Sequence, residues 1–114
     1  MEKIALWEIL VPKIFSDGSK IEISYHNKWD EMVRGISSGL TIFRTAKGQW
    51  VSPDNKLFTE EMIPVRIMCT CSQIEMIADI TAQHYKQEAI MYYLISEDVF
   101  IQHYDKNGTR IEQK

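Results

Sequence analysis

The sequence is poor in the features that mark most specialised classes. It has two cysteines, Cys69 and Cys71, in 114 residues. Two positions apart in a strand, they have the wrong geometry for a bridge, which excludes a disulfide framework and reads as reduced thiols in a cytoplasmic protein. With three scattered histidines, Cys69-x-Cys71 is no ligand cluster either, and no metal site is expected. Five glycines and three prolines leave no linker or low-complexity tract. No apolar run approaches the roughly 20 residues of a membrane helix, and Met1-Glu2-Lys3-Ile4 lacks the pattern of a secretory signal. Neither sign of charge dominates: 13 Lys and Arg against 16 Asp and Glu give −3, with no basic run. That balance argues against nucleic acid and anionic membrane as partners. Gly-x-Gly-x-x-Gly, the P-loop and the Gly-x-Ser-x-Gly turn are all missing, and no cofactor is expected.

What is present can build a core, since 45% of residues are hydrophobic and 11% aromatic. A single domain over residues 1–104 and a polar tail over 105–114 are expected. Ile4 to Val11 alternates, with Ala5, Trp7, Ile9 and Val11 on one face and Ile4, Leu6, Glu8 and Leu10 on the other. Apolar residues on both faces predict a central strand interrupted only by Glu8. After a loop around Asp17-Gly18, Trp29, Met32, Val33 and Ile36 predict a helix from about His26 to Ser38, capped by Gly39. Leu40–Val51 and Leu57–Thr70 read as antiparallel strands about the Pro53-Asp54-Asn55 turn. Ser72-Gln73-Ile74-Glu75 has the form of a capping box, and Ile74, Ile77, Ala78, Thr81 and Tyr85 form one face of the helix that follows. Glu88–Ile95 reads as a further strand and Val99–Tyr104 as a short extra one.

The order β-α-β-β-α-β plus a C-terminal strand predicts an α+β fold of ferredoxin-like type, an antiparallel sheet covered by two helices on one face. The other face, holding Met62, Arg66 and Met68 or their neighbours one residue away, would be bare, so oligomerisation is expected to cover it. Pro64, in a strand this topology makes central, calls for a bulge.

The segment from Gly48 to Arg66 is the richest in chemistry. Glu60 and Glu61 enter a strand from a turn, opposite Trp50, and alternation sends the two carboxylates to opposite faces. Taken alone they read as a solvated strand end that discourages edge pairing. His26 and His84 read as structural or solvated histidines.

The Gly48-x-Trp50 turn, Thr59-Glu60-Glu61, Val65-Arg66 and Cys69, with Tyr85-Lys86-Gln87-Glu88 running into Met91-Tyr92-Tyr93, resembles the phage S-adenosylmethionine-degrading enzymes. These were long called hydrolases and are now regarded as lyases. The similarity spans Leu6 to Tyr93 as an element order. It implies a GlnB-like homotrimer of ferredoxin-like sandwiches with active sites between subunits, acting in the cytoplasm of an infected host as an anti-restriction device. It also implies conversion of S-adenosylmethionine to 5′-methylthioadenosine and homoserine lactone.

In that family an aromatic, usually tyrosine, pairs with the second glutamate, and the matching positions here are Trp50 and Glu61. Tryptophan has no hydroxyl, so a role needing a phenol does not transfer, and Tyr92 is the candidate to supply it. The resemblance makes Glu61 the principal candidate catalytic residue, with Glu60 in reserve. Trp50, Tyr92 and Trp7 are candidates to contact adenine or the sulfonium, and Arg66 to hold a carboxylate or an interface ion pair. The alternative from another class is a non-enzymatic ferredoxin-like oligomer that binds a small ligand or a protein, with Trp50, Tyr92 and Tyr93 as interface anchors.

Overall fold

The computed structural model describes residues 2–112. Its elements are β1 (Ala5–Pro12), α1 (Ile23–Ser37), β2 (Thr41–Ile42), β3 (Ala46–Val51), β4 (Leu57–Cys69), α2 (Cys71–Tyr85) and β5 (Tyr92–Ser96). β4 pairs with β1, β2 and β3, and β1 pairs with β5, all antiparallel. With β2 and β3 counted as one interrupted strand, the sheet order is that of the ferredoxin-like α+β fold.

Both sides of the sheet follow from alternation. Ala5, Ile9 and Val11 of β1 and Val65, Ile67 and Cys69 of β4 are buried on the helix side. There they meet Trp29 and Val33 of α1 and Ile74, Ile77 and Tyr85 of α2. The two helices are joined across this core by the Trp29 indole, which donates to Thr81 Oγ1 at 2.9 Å. At their far ends the Tyr25 and His84 rings stack at 3.9 Å, and His84 Nε2 lies 2.8 Å from the Tyr25 carbonyl oxygen.

Several boundaries differ from the sequence expectation, each for a local reason. Helix α1 begins at Ile23, three residues before His26, and closes on Ser38 in the left-handed region rather than on Gly39. The expected strand 40–51 is broken at Phe43–Thr45 into β2 and β3. Pro64 explains the break. The Phe43 N–H donates to the Pro64 carbonyl, so the same edge of Pro64 that lacks an N–H faces this segment, and the irregularity falls on the partner strand. β4 itself runs past Pro64 in unbroken register with β1, without the expected bulge.

The capping box is set two residues earlier than Ser72-x-x-Glu75. Thr70 is the N-cap, accepting from the Gln73 N–H, while the Gln73 side chain accepts from the Thr70 N–H. Cys69 is anchored in the core opposite Ala5, so the helix must start at once. Ser72 is thereby inside the helix, and its N–H and hydroxyl donate to Glu2.

β5 begins at Tyr92 rather than Glu88, and Val99–Tyr104 forms no strand. Its last residue instead bridges to Arg110 across a tight turn, in which Asp105 Oδ1 accepts from the Asn107 and Thr109 N–H groups. Apolar residues of this segment, Phe100 and Ile101, stand in solvent, so no core position draws 99–104 into the sheet.

Candidate functional site

The β3–β4 hairpin carries the residues singled out by the sequence. Its register pairs Trp50 with Phe58, Gly48 with Glu60 and Lys47 with Glu61. Trp50 and Phe58 stack with ring centroids 4.4 Å apart, each about half exposed, on the face away from the helices. Glu60 lies on that same face. A Cβ on Gly48 opposite it would come within 2.9 Å of the Met62 methyl, a flexible side-chain end that can shift to make room. Glu61 points to the other face, where its carboxylate meets Lys13 Nζ at 3.4 Å and stays largely open to solvent.

Arg66 is committed within its own chain. Its Nε donates to Glu8 Oε1 at 3.0 Å, and its guanidinium lies 4.9 Å from the centre of the Phe43 ring. Glu8 also accepts from the Tyr93 hydroxyl. The row Phe43, Arg66, Glu8, Tyr93 therefore crosses the open sheet face and buries Glu8, which is 8% exposed although no helix covers it. The sequence signal for this row was the lone carboxylate inside the apolar strand β1.

Trp7 and Tyr92 lie on the helix side. The Trp7 indole donates to the Cys69 carbonyl at 3.2 Å, and its ring stands 6.2 Å from Tyr92. Tyr92 pairs across β1 with the row of Val65, so it lies about 13 Å along the strand direction from Glu61 and two strands across the sheet. Within one chain, then, Trp50 and Glu60 occupy one face of the hairpin and Glu61 the other, while Trp7, Tyr92 and Arg66 lie further along the sheet. A single pocket containing all six requires more than one chain.

No group of three or more His, Cys, Asp or Glu side chains stands ready for a metal among the described residues. The Cys69 thiol is pushed up to about 11, first by burial and then by the neighbouring Cys71, so it is held as an inert thiol. An open depression of about 390 Å³ on the C-terminal turn is lined by exposed residues such as His103 and Arg110. No helix is long and apolar enough to cross a membrane among the described residues.

No protein-family model matches the chain, and no curated protein matches it. Solved structures do. A phage SAM lyase in complex with S-methyl-5′-thioadenosine matches 98% of this chain and 88% of its own, at 14% identity and a TM-score of 0.63. CutA1 from Oryza sativa covers 97% of this chain and 98% of its own, at 10% identity and 0.60. The divalent ion tolerance protein CutA1 from Ehrlichia chaffeensis covers 95% and 91%, at 11% and 0.56. The shared property is the ferredoxin-like fold.

Proposed function

We propose that the protein degrades S-adenosylmethionine by intramolecular lactone formation, in sites built between subunits of a homotrimer. The observation supporting this reading is the likeness, over nearly the whole chain, to a lyase that holds S-methyl-5′-thioadenosine. It agrees with the resemblance carried by Trp50, Glu60, Glu61 and Arg66.

The chemistry asks little of the protein beyond shape. The sulfonium makes the γ-carbon of the methionyl tail electrophilic, with a neutral thioether as leaving group. The substrate's own carboxylate oxygen attacks that carbon, the C–S bond breaks, and its electron pair stays on sulfur. The products are homoserine lactone and 5′-methylthioadenosine, with no water consumed. Aligning the tail for this closure is worth ~7–11 kcal/mol. Glu61, exposed and paired with Lys13, accepts from the substrate's ammonium or ribose and fixes the tail, with Glu60 as the alternative acceptor. Trp50, Tyr92 and Trp7 are the aromatic candidates against adenine or sulfonium, a contact worth ~0.5–2 kcal/mol. Arg66 is spent on Glu8 and holds the sheet face rather than the carboxylate nucleophile, which a tight ion pair would quench.

The test is incubation with S-adenosylmethionine, followed by chromatography for methylthioadenosine and an early search for homoserine lactone. In H₂18O, a lyase followed by lactone hydrolysis places the label in the homoserine carboxylate, whereas direct hydrolysis at the γ-carbon places it in the hydroxyl. Glu61→Gln is expected to lower methylthioadenosine release by about 100-fold with the oligomer intact. Full activity in that variant removes Glu61 from the mechanism. The CutA1 structures, covered to a similar extent, fit a second reading, a ligand-binding oligomer without turnover. Survival of S-adenosylmethionine at high protein concentration, with a raised melting temperature, selects it.

A further inference from the structure

A separate cavity of about 220 Å³ opens on the helix side of the sheet, between the first half of α1 and the β2 edge. None of the six candidate residues above lines it. Val11, Ile42, Ile63 and Val65 form apolar walls, and the buried rings of Trp29 and Tyr85 lie at its base. Against these walls stand His26 and Asp30, one helical turn apart on α1, with Cβ atoms separated by about 5–6 Å.

The hydrogen bonding assigns a role to each. Tyr85 is fully buried, which pushes its hydroxyl up and keeps it protonated. Its hydroxyl oxygen lies 2.7 Å from His26 Nδ1, the one partner it has among the described residues. A buried hydroxyl must place its proton on an acceptor, so Tyr85 donates to Nδ1 and the neutral ring carries its own proton on Nε2. Burial disfavours the charged imidazole, which keeps the ring in this form at neutral pH. Nε2–H has no partner among the described residues, and the Asp30 carboxylate has neither an ion pair nor a hydrogen bond there. The cavity thus offers the His26 donor and the Asp30 acceptor beside flat apolar walls, with the exposed Asn27 amide also on its lining.

We propose that this cavity binds a small heteroaromatic base with an exocyclic amine, the amine donating to Asp30 and an adjacent ring nitrogen accepting from His26 Nε2–H. Adenine is the simplest natural form of that pattern. A saturated amine satisfies Asp30 and leaves the imidazole N–H unmatched; a carboxylic acid meets the Asp30 charge. The volume is below the ~300–1,000 Å³ of drug-sized pockets, which suits one bicyclic ring and little more. Nothing in this assignment depends on S-adenosylmethionine being a substrate.

Titration of isotopically labelled protein with adenine and with hypoxanthine, followed by NMR, tests it. The two bases have the same size, but hypoxanthine presents a carbonyl and a ring N–H where adenine presents an amine and a bare nitrogen. Adenine is expected to shift the Trp29 indole and the Val11, Ile63 and Val65 methyl signals saturably, with hypoxanthine at least tenfold weaker. Asp30→Ala, confirmed folded by its spectrum, is expected to weaken adenine at least tenfold. Equal binding of the two bases, absence of saturable shifts, shifts located elsewhere, or unchanged adenine affinity in the folded variant overturns the assignment. If Asp30→Ala does not fold, the contrast between the bases in the unmodified protein decides. Methylthioadenosine release is a separate readout, so the lyase reading and this one fail independently.

Discussion

His26 shows how much one side chain's meaning depends on its neighbours. Desolvation lowers its pKa most, nearby His84 lowers it further, and Asp30 raises it. A depressed folded pKa means the unfolded chain binds the proton more readily. The neutral ring's contribution to stability is therefore complete above the unfolded value near 6.5 and is lost as pH falls through the folded pKa. Asp30 works in the opposite direction: burial raises its pKa, so its carboxylate costs stability as it ionises above its ordinary value of 3.8. The His26 loss therefore sets in as pH falls below the ordinary value of about 6.5, and the Asp30 cost as pH rises above 3.8. Denaturant unfolding at a series of pH values is expected to show stability falling on acidification below about 6.5, with a smaller slope in His26→Gln. An unchanged slope would remove His26 as the titrating group.

Elements in this fold are positioned by their ends. Helix α2 follows β4 without a loop, and the reciprocal Thr70–Gln73 hydrogen bonds satisfy the amides that the abrupt start exposes. Thr70→Ala is expected to cost about 1 kcal/mol in chemical denaturation, whereas Glu75→Ala is expected to change stability by less than about 0.5 kcal/mol. The reverse order would restore the Ser72–Glu75 frame. Both frames were legible in the amino acids, since Thr70-x-x-Gln73 and Ser72-x-x-Glu75 have the same form. Propensity cannot rank them. Packing of Cys69 against β1 does, because it sets where the strand must end. The split of β2 from β3 has a similar origin: Pro64 announced a disturbance, but only the pairing showed that the partner strand carries it.

The whole molecule is too extended for its length. Its radius of gyration is 16.9 Å, against about 13 Å for a compact chain of this size, and it measures 56 Å along its longest axis. Leu57–Glu61 are exposed on both faces of the hairpin, and Phe100, Ile101 and Tyr104 are exposed beyond β5. The open sheet face places Leu6, Leu10, Met62 and Met68 around the Glu8–Arg66 ion pair. Apolar surface in this arrangement is what association buries. On the proposed trimer, Met68→Asp puts a charge into that interface. It is expected to give a monomer by light scattering and to abolish methylthioadenosine release together with assembly. A Met68→Asp trimer would show that the subunits meet on another face.

Residue order by itself determined the α+β class, both helices, the apolar helix side of the sheet and the bareness of its other side, because each follows from the period of apolar residues along a local segment. It also marked Glu60 and Glu61 as facing opposite ways. Tertiary structure alone decided that Arg66 is bound to Glu8, that Glu8 is shielded by Tyr93 without a helix above it, and that His26, Asp30 and Tyr85 share one cavity. Those partners lie 58, 85 and 59 residues apart along the chain. Local periodicity carries no information at that range; the register of β1 against β4 and β5, and the packing of α1 on α2, supplies it.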